Sequence, residues 1–414
     1  MDIIIGAGVT GISYANFTTN NYLILEQESE IGGYCRTIKQ DGFVWDYSGH
    51  FFHFRQPELE ELVCRHIAPK TLRKVEKHTQ ILYKDQYIDF PFQKNIHQLE
   101  KEEFIDCLYD LFTAEKQEAT SFKGMIYHNL GKSIAEKFLI PYNQKLYACD
   151  LDHLDADAMG RFFPKASREE IITNFRHSIN HSYNQYFTYP TGGAIEYINS
   201  LYTNLQDPHL RTNTKVISID PKKKTVTTNT GETLSYEHLI STMPLPHLLK
   251  LCRIEFNEAV FTCNKVLTFN LGFDTKGRDT TNSWIYIPAP DVIFYRIGYY
   301  DNIIGSDRMS LYVEIGLPQD EKLKTQEYYL QRILKDLRKT GITSENQQLI
   351  SYSYVVMDPA YVHINKPGVQ ETNRCKDILA QSNIYSIGRY GSWTYCSIED
   401  NIIEARELAK KING

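Results

Sequence analysis

The 414-residue chain has no apolar run approaching the roughly 18 residues that a membrane-spanning helix needs. A surplus of positive charge is missing too: 45 Lys plus Arg face 51 Asp plus Glu, a net charge of −6. That leaves no electrostatic footprint for nucleic acid. The eight cysteines (35, 64, 107, 149, 252, 263, 375 and 396) include no CxxC and no His/Cys spacing suited to zinc. A reduced, cytoplasmic chain without a metal centre is the expectation. The segment MDIIIGAGVTGISYA carries Asp2 where a secretory signal would be positive, and glycines interrupt its apolar stretch. It is therefore expected to be a first strand, not a leader. Tryptophan is scarce, at three, but 29 Tyr and 20 Phe raise the aromatic share to 13%. Such rings are either core or the walls of a site for something flat and polar, and composition leaves both open.

Hydrophobic residues at 42% and charged residues at 23% are ordinary globular values, which excludes disorder as the main character. The length calls for two or three sub-domains. Residues 2–5 read as a buried strand, followed by a glycine turn and a small-residue helix from Ile12 onward, then a second strand at 22–25. Helical periodicity dominates from about Leu99 to Ser178, with Ile134, Phe138, Leu139 and Tyr142 as an apolar stripe. From Leu210 strands and turns alternate. Strands at 216–219 and 225–228 open a meander that is expected to end in 238–242, and the lysine run at 222–224 reads as a solvated turn. Further strands are expected at 265–273, 283–287, 293–299, 309–315 and 350–356, with a helix near 327–339. A last strand at 384–388 leads into a helix from Asn401.

The first turn, Gly6-Ala7-Gly8-Val9-Thr10-Gly11, sits between a strand and a helix, and Glu26 ends the next strand twenty residues after Gly6. This is the dinucleotide fingerprint in its proper setting. Gly6, Gly8 and Gly11 let the backbone approach a pyrophosphate at a helix N-terminus, and Glu26 can accept from a ribose hydroxyl. A second element follows at Gly32-Gly33-Tyr34-Cys35-Arg36. Its glycines permit another close approach, and Arg36 offers a forked donor to a phosphate oxygen. This GG motif resembles that of flavoproteins of the amine-oxidase and glutathione-reductase-like superfamily. The closing Ile387-Gly388-Arg389 and its helix are a further flavin-type feature, so FAD is the expected cofactor.

Other stretches resemble the UDP-galactopyranose mutase family. Tyr47-Ser48-Gly49-His50-Phe51-Phe52-His53 is similar to its Gly-x-His-x-Phe-His segment, with Ser48 in place of the first glycine. Phe90-Pro91-Phe92-Gln93 and Pro141-Tyr142-Asn143-Gln144-Lys145-Leu146-Tyr147 are similar to two uridine-pocket elements of its eukaryotic-type members. Trp284-x-Tyr286 with Arg296, and Arg389-Tyr390-Gly391-Ser392-Trp393-Thr394-Tyr395, complete a collinear set that spans nearly the whole chain.

That resemblance implies an α/β fold: a Rossmann-like FAD-binding domain with an inserted helical domain and an antiparallel β-sheet domain. The expected boundaries are 1–55, 190–245 and 376–414 for the FAD domain, 97–185 for the helical domain, and 70–96 with 246–375 for the sheet domain. It also implies a reaction without net redox change, the interconversion of UDP-galactopyranose and UDP-galactofuranose, active with reduced flavin. In that scheme flavin N5 attacks the anomeric carbon while UDP departs. NAD(P)H is the reductant by analogy, although no second dinucleotide fingerprint is present. His50, Arg296 and Arg161 would be catalytic, with Gly49 and His50 beside the flavin and His53 a further candidate. Arg161 in Met159-Gly160-Arg161-Phe162 matches the family's helical-domain arginine after a one-residue gap. Phe90, Gln93, Asn143 and Tyr147 would surround the uracil. Trp284, Tyr286, Arg296, Tyr361, Arg389 and Tyr395, with Arg161, would hold the diphosphate and sugar. Gly388 and Arg389 would close the cofactor site.

Plain readings stand beside these. Tyr286 alternates with Trp284 and suits one face of a half-buried strand. Arg296 suits a surface pair with Asp291, His50 a core histidine, and Tyr361 loop packing near Pro359. The pattern also departs from the family: Phe90 replaces a tyrosine, Tyr147 replaces a tryptophan, and Glu399 stands where the family has an asparagine. An acid beside a diphosphate is repulsive unless it turns toward a ribose or sugar hydroxyl. The sugar and nucleotide therefore stay open among UDP-galactose, N-acetylated and deoxy analogues. An amine or polyene oxidase, sharing Tyr189-Pro190-Thr191-Gly192-Gly193, and a non-catalytic flavin-binding protein are the competing readings.

Overall fold

The computed structural model describes residues 1–115, 117–176, 185–206 and 209–414. The last residues of the helical stretch expected up to Ser178 lie outside these, as does part of its 97–185 boundary.

The strand Asp2–Ile5 is the middle of a five-stranded parallel sheet. On one side it pairs with Tyr22–Leu25 and then Leu210–Arg211; on the other it pairs with His238–Ser241 and then Ile384–Ser386. Side chains alternate across a strand, and here both faces are covered. Ile4 packs with helices Val9–Phe17, Ile195–Thr203 and Ile398–Asn413, while Ile3 and Ile5 pack with Leu239, Leu245 and Leu249. A continuous DIII run buried on both faces is what a central parallel strand requires.

His238–Ser241 corrects the expected meander. The meander proper is Val216–Asp220, Thr225–Thr228 and Thr233–Ser235. The next strand leaves it and inserts between Asp2–Ile5 and Ile384–Ser386. Its burial explains why, since Leu239 and Ile240 are fully enclosed, as no edge strand of that small sheet could be. The lysine turn is local, with Asp220 Oδ1 accepting from the amides of Lys222 and Lys223.

A seven-stranded sheet runs Leu349–Met357, Asn264–Phe273, Ser310–Pro318, Arg296–Tyr299, Trp284–Tyr286, Thr79–Tyr83 and Gln86–Asp89. It is antiparallel except where Trp284–Tyr286 meets Thr79–Tyr83. Leu311, Val313 and Ile315 face helix Gln326–Lys339, whose Ile333 and Leu337 are buried against them. Tyr312 and Glu314 alternate to the opposite face, which looks toward the flanking helices and the parallel sheet.

Three segments expected with this sheet pack elsewhere. Leu72–Glu76 pairs with Tyr186–Pro190. Helices Leu245–Leu251 and Lys366–Ala380 bury Leu248, Leu249, Cys375 and Leu379 with the parallel sheet, where their apolar faces find cover. Helices Lys101–Thr113, Phe122–Ile134 and Ile140–Tyr147 form their own core, in which Ile134, Phe138 and Leu139 are enclosed. The last helix begins at Ile398, ahead of the expected Asn401, because Ser397 and Asp400 form a reciprocal capping box.

Candidate functional site

One continuous cavity of about 1570 Å³ lies between the parallel sheet, the seven-stranded sheet and the helical segment. Pockets for single small ligands run to roughly 1,000 Å³, so this one has room for a dinucleotide and a second molecule.

Its first end is built from glycine. Gly6 turns the chain out of the first strand at φ +101°, and a Cβ there would meet Thr242 Oγ1 at 2.3 Å. Gly8 precedes helix Val9–Phe17, and the sole atom within 4 Å of a Cβ there is Gly33 Cα, at 3.9 Å. The two glycine turns therefore face each other across open space at a helix N-terminus, where unpaired N–H groups favour anionic oxygen. Gly8, Gly32 and Gly33 line the cavity. Gly11 and Gly388 do not: a Cβ at Gly11 would strike the Gly6 carbonyl, and one at Gly388 would strike Thr10. They allow close packing behind the cavity wall.

Glu26, nearly buried, accepts from the amides of Ala7 at 2.7 Å and Glu28 at 3.0 Å. Arg36 lines the same end, and its Nε and Nη2 donate to the carbonyls of Ile31 and Glu30. Part of its fork thus braces the loop that carries it.

The other end follows from strand register. Tyr286 stands directly opposite Arg296, and Arg296 directly opposite Glu314, across three neighbouring strands. Directly opposed residues share a face, so the three form a row on the cavity side. Arg296 donates from Nε and Nη2 to the two Glu314 oxygens at 2.7 and 2.8 Å, and Ser48 Oγ donates to Glu314 as well. The expected alternative partner, Asp291, is instead paired with Lys339. Trp284 Nε1 donates to Tyr286 Oη at 2.8 Å, and Phe51 stacks on the Trp284 ring at 5.4 Å.

Between the two ends run Gly49 and His50. A Cβ at Gly49 would lie 2.3 Å from Tyr312 Oη, so only glycine lets this segment cross the sheet. His50 Nδ1 is buried with no hydrogen-bond partner. Burial pushes its imidazole down to about 4, outweighing the opposite pull of Glu314, so the ring is neutral near pH 7. His53 also lines the cavity, is pushed down to about 4 by burial, and shares its Nδ1 with the Tyr186 carbonyl.

Arg389 lies against Tyr361 and Tyr395, 5.2 and 4.9 Å from their ring centres, and these two rings stack on each other at 5.9 Å. Its Nε is buried without a partner. Arg161 reaches the mouth, 40% exposed, and donates to Asp400 at 2.6 Å and Ser397 at 3.3 Å. Asp400 also takes Arg55 at 2.8 Å.

The sequence reading missed Arg55. It answers the question raised by Glu399, whose carboxylate accepts from Arg55 Nε at 2.6 Å and from the amides of Arg55 and Gln56. The acid is neutralised where it stands.

Phe90 and Asn143 line the cavity, and Asn143 Oδ1 is a buried acceptor with no partner. Gln93 and Tyr147 do not line it. Gln93 is fully enclosed in the short turn Phe92–Lys94 and donates to the Pro164 carbonyl. Tyr147 ends its helix with the ring packed on Phe122 and Tyr361. Tyr142, which the stripe periodicity had assigned to packing, forms that wall instead.

All eight cysteines are free, and the described residues hold no group of three His, Cys, Asp or Glu able to bind a metal. No described helix is long and apolar enough to cross a membrane.

The architecture is similar to solved structures. A reduced UDP-galactopyranose mutase superposes with a TM-score of 0.92 at 21% identity, covering 99% of this chain and 93% of that one. Cyclohexylamine oxidase from Brevibacterium oxydans IH-35A gives 0.73 at 12% identity, covering 100% and 98%. A CLA-producing fatty acid isomerase from P. acnes gives 0.68 at 13%, covering 99% and 98%. At such identities the likeness shows the fold, the FAD-dependent amine-oxidase-like fold. The open Gly8–Gly33 cradle and the unpartnered His50 and Arg389 nitrogens fit a flavin between the two ends of the cavity. A family model for flavin containing amine oxidoreductase matches residues 19–413, and to that family the chain belongs.

Proposed function

We propose that the protein is an FAD-dependent nucleotide-sugar mutase that interconverts UDP-galactopyranose and UDP-galactofuranose, or a close analogue, with its flavin reduced. The observation that carries this reading is the row Tyr286–Arg296–Glu314, which faces Arg389 and its two tyrosines in the same cavity as the glycine cradle. FAD would be held by Gly8, Glu26, Gly33 and Arg36 at its nucleotide end, with His50 alongside its ring system. When bound and reduced it supplies the nucleophile for the sugar's anomeric carbon.

The chain's own task is to keep a departing diphosphate in place. Arg296 is held flat by Glu314, so its orientation needs no reorganisation on binding. Arg389 adds a buried charge over two phenol rings, and Arg161 is exposed enough to leave Asp400 for a phosphate. The slot formed by Phe90, Tyr142 and Asn143 would take the base, with the free Asn143 Oδ1 accepting from a ring N–H. Aromatic walls at Phe51, Trp284 and Tyr286 exclude water from the reacting sugar. NAD(P)H is the reductant in this reading, and the cytoplasm the compartment. An amine oxidase is the competing reading, favoured by the family and one neighbour. Arg161, Arg296 and Arg389, the first two already paired with carboxylates, suit an anionic ligand better than a cationic amine.

The test is anaerobic incubation of dithionite-reduced protein with UDP-galactofuranose, followed by chromatography of the products. Conversion to the pyranose by reduced but not oxidised enzyme is expected. Failure to convert any nucleotide sugar, together with oxidation of an amine, would reverse the assignment.

A further inference from the structure

Behind the site stands a lysine that the chemistry above does not use. Lys145 lies two residues beyond Asn143 in helix Ile140–Tyr147. Its ammonium donates to three backbone carbonyls: Ile287 at 2.9 Å, Ala289 at 3.0 Å and Phe294 at 2.5 Å. An ammonium has three protons, and all three go to one stretch of chain. That stretch connects Trp284–Tyr286 to Arg296–Tyr299, the two strands that carry Trp284, Tyr286 and Arg296.

The connection is held on its other side by helix Gln326–Lys339. The Ile293 amide donates to Asp336 at 2.8 Å, and Arg332 donates to the Asp291 carbonyl at 2.7 Å. The helix bearing Lys145 is itself seated on the sheet. A Cβ at Gly316 would come within 2.1 Å of the Lys145 carbonyl, and Asn264 Nδ2 donates to the Leu146 carbonyl at 2.6 Å. The base slot and the diphosphate row therefore belong to different elements, and Lys145 ties them through three hydrogen bonds. Burial pushes its amine down to about 7, whereas three carbonyl acceptors on one nitrogen are satisfied together only by the protonated form.

We propose that Lys145 is a positioning residue that fixes the spacing between the base slot at Tyr142 and Asn143 and the diphosphate row Tyr286–Arg296–Glu314. The inference rests on the nucleotide reading of that cavity. A ligand that spans both subsites profits from a fixed spacing, because binding at one end raises its effective concentration at the other. A fragment that fills one subsite does not.

Two measurements on the flavin-loaded protein decide it. In the first, hydrogen–deuterium exchange compares wild type with Lys145→Met, which keeps an apolar stem, and with Lys145→Gln, which retains two N–H donors. Peptides covering 284–299 should exchange faster in Lys145→Met and recover part of their protection in Lys145→Gln. Peptides covering 2–25 should be unchanged. In the second, UDP, uridine and inorganic pyrophosphate are titrated separately. Lys145→Met should weaken UDP about tenfold while uridine and pyrophosphate stay within about twofold. Unchanged exchange at 284–299 overturns the proposal, and so does equal weakening of all three ligands, which is the mark of general damage. If wild type binds none of the three while the exchange pattern holds, the tie stands and the nucleotide reading falls.

Discussion

Arg296 and Glu314 stand directly opposite each other on adjacent antiparallel strands, and both carboxylate oxygens accept from the guanidinium, at 2.7 and 2.8 Å. Burial would raise the Glu314 carboxyl, but the Arg296 charge and hydrogen bonds from Arg296 and Ser48 hold it below the usual carboxylate range. The pair is therefore ionised inside the protein. It orients an arginine toward the cavity and cancels part of its charge, so an anionic ligand meets a fixed fork in place of a mobile cation.

Stability and binding at this pair should separate under substitution. Arg296→Met strands a buried carboxylate and should lose about 3–5 kcal/mol of unfolding free energy. Adding Glu314→Gln removes the stranded charge and should restore most of that loss. UDP affinity should be lost in both variants, because each lacks the guanidinium. Urea unfolding and calorimetric titration measure the two quantities. A double variant that binds UDP normally would remove Arg296 from the diphosphate site.

The glycine cradle gives a sharper contrast. At Gly8 the backbone is extended, φ −83° and ψ −175°, a conformation open to any residue. A Cβ there meets only Gly33 Cα, in ordinary contact at 3.9 Å, and otherwise cavity, whereas at Gly6 it would collide with Thr242. Gly8→Val should therefore fold with the melting temperature of flavin-free wild type and yet retain less than about a tenth of the flavin, since its methyls occupy the space for the pyrophosphate. The ratio of flavin to protein absorbance reads this directly. A stoichiometric flavin complex of Gly8→Val would show that the cofactor lies elsewhere.

The legible part of this molecule is the part whose causes are local. The glycine spacing, the buried strand before it and Glu26 after it lie within 26 residues, and strands at Asp2–Ile5, Tyr22–Leu25 and Thr225–Thr228 form at the expected positions. The face shared by Tyr286 and Trp284 is likewise a matter of alternation. Partners across the chain were not readable. Arg55 and Glu399 are 344 positions apart, and nothing near either of them announces the other. For Arg296 a nearby acid in sequence, Asp291, was a reasonable partner, but strand register chose Glu314. Gln93 and Tyr147 stand in stretches that do reach the site, through Phe90 and Asn143. Which side chain of a short turn or a helix end points inward is decided by packing, here against Pro164, Phe122 and Tyr361. The strand His238–Ser241 misled for the same reason, since its neighbours in space are the first strand and the last.

Asp301 should make the stability of the protein depend on pH. It is fully buried just after the strand that carries Arg296, its Oδ1 accepts from the Ser310 amide at 3.2 Å, and its Oδ2 has no partner. Burial pushes its carboxyl up from 3.8 to about 6, against the pull of the Ser310 amide and Lys276. Between these values the folded chain keeps a proton that the unfolded chain releases, so more protons are bound folded than unfolded. Stability from this group is complete below about pH 4 and is lost as pH rises through about 6. A shift of about two units corresponds to about 3 kcal/mol. Asp301→Asn does not titrate, and any constant penalty for placing an amide beside the Oδ2 position is the same at every pH. The difference in unfolding free energy, wild type minus Asp301→Asn, should therefore fall by about 2–3 kcal/mol between pH 4 and pH 7 in urea titrations. Parallel curves for the two proteins would mean that Asp301 ionises as readily folded as unfolded, and that the buried carboxyl finds compensation which its single hydrogen bond does not provide.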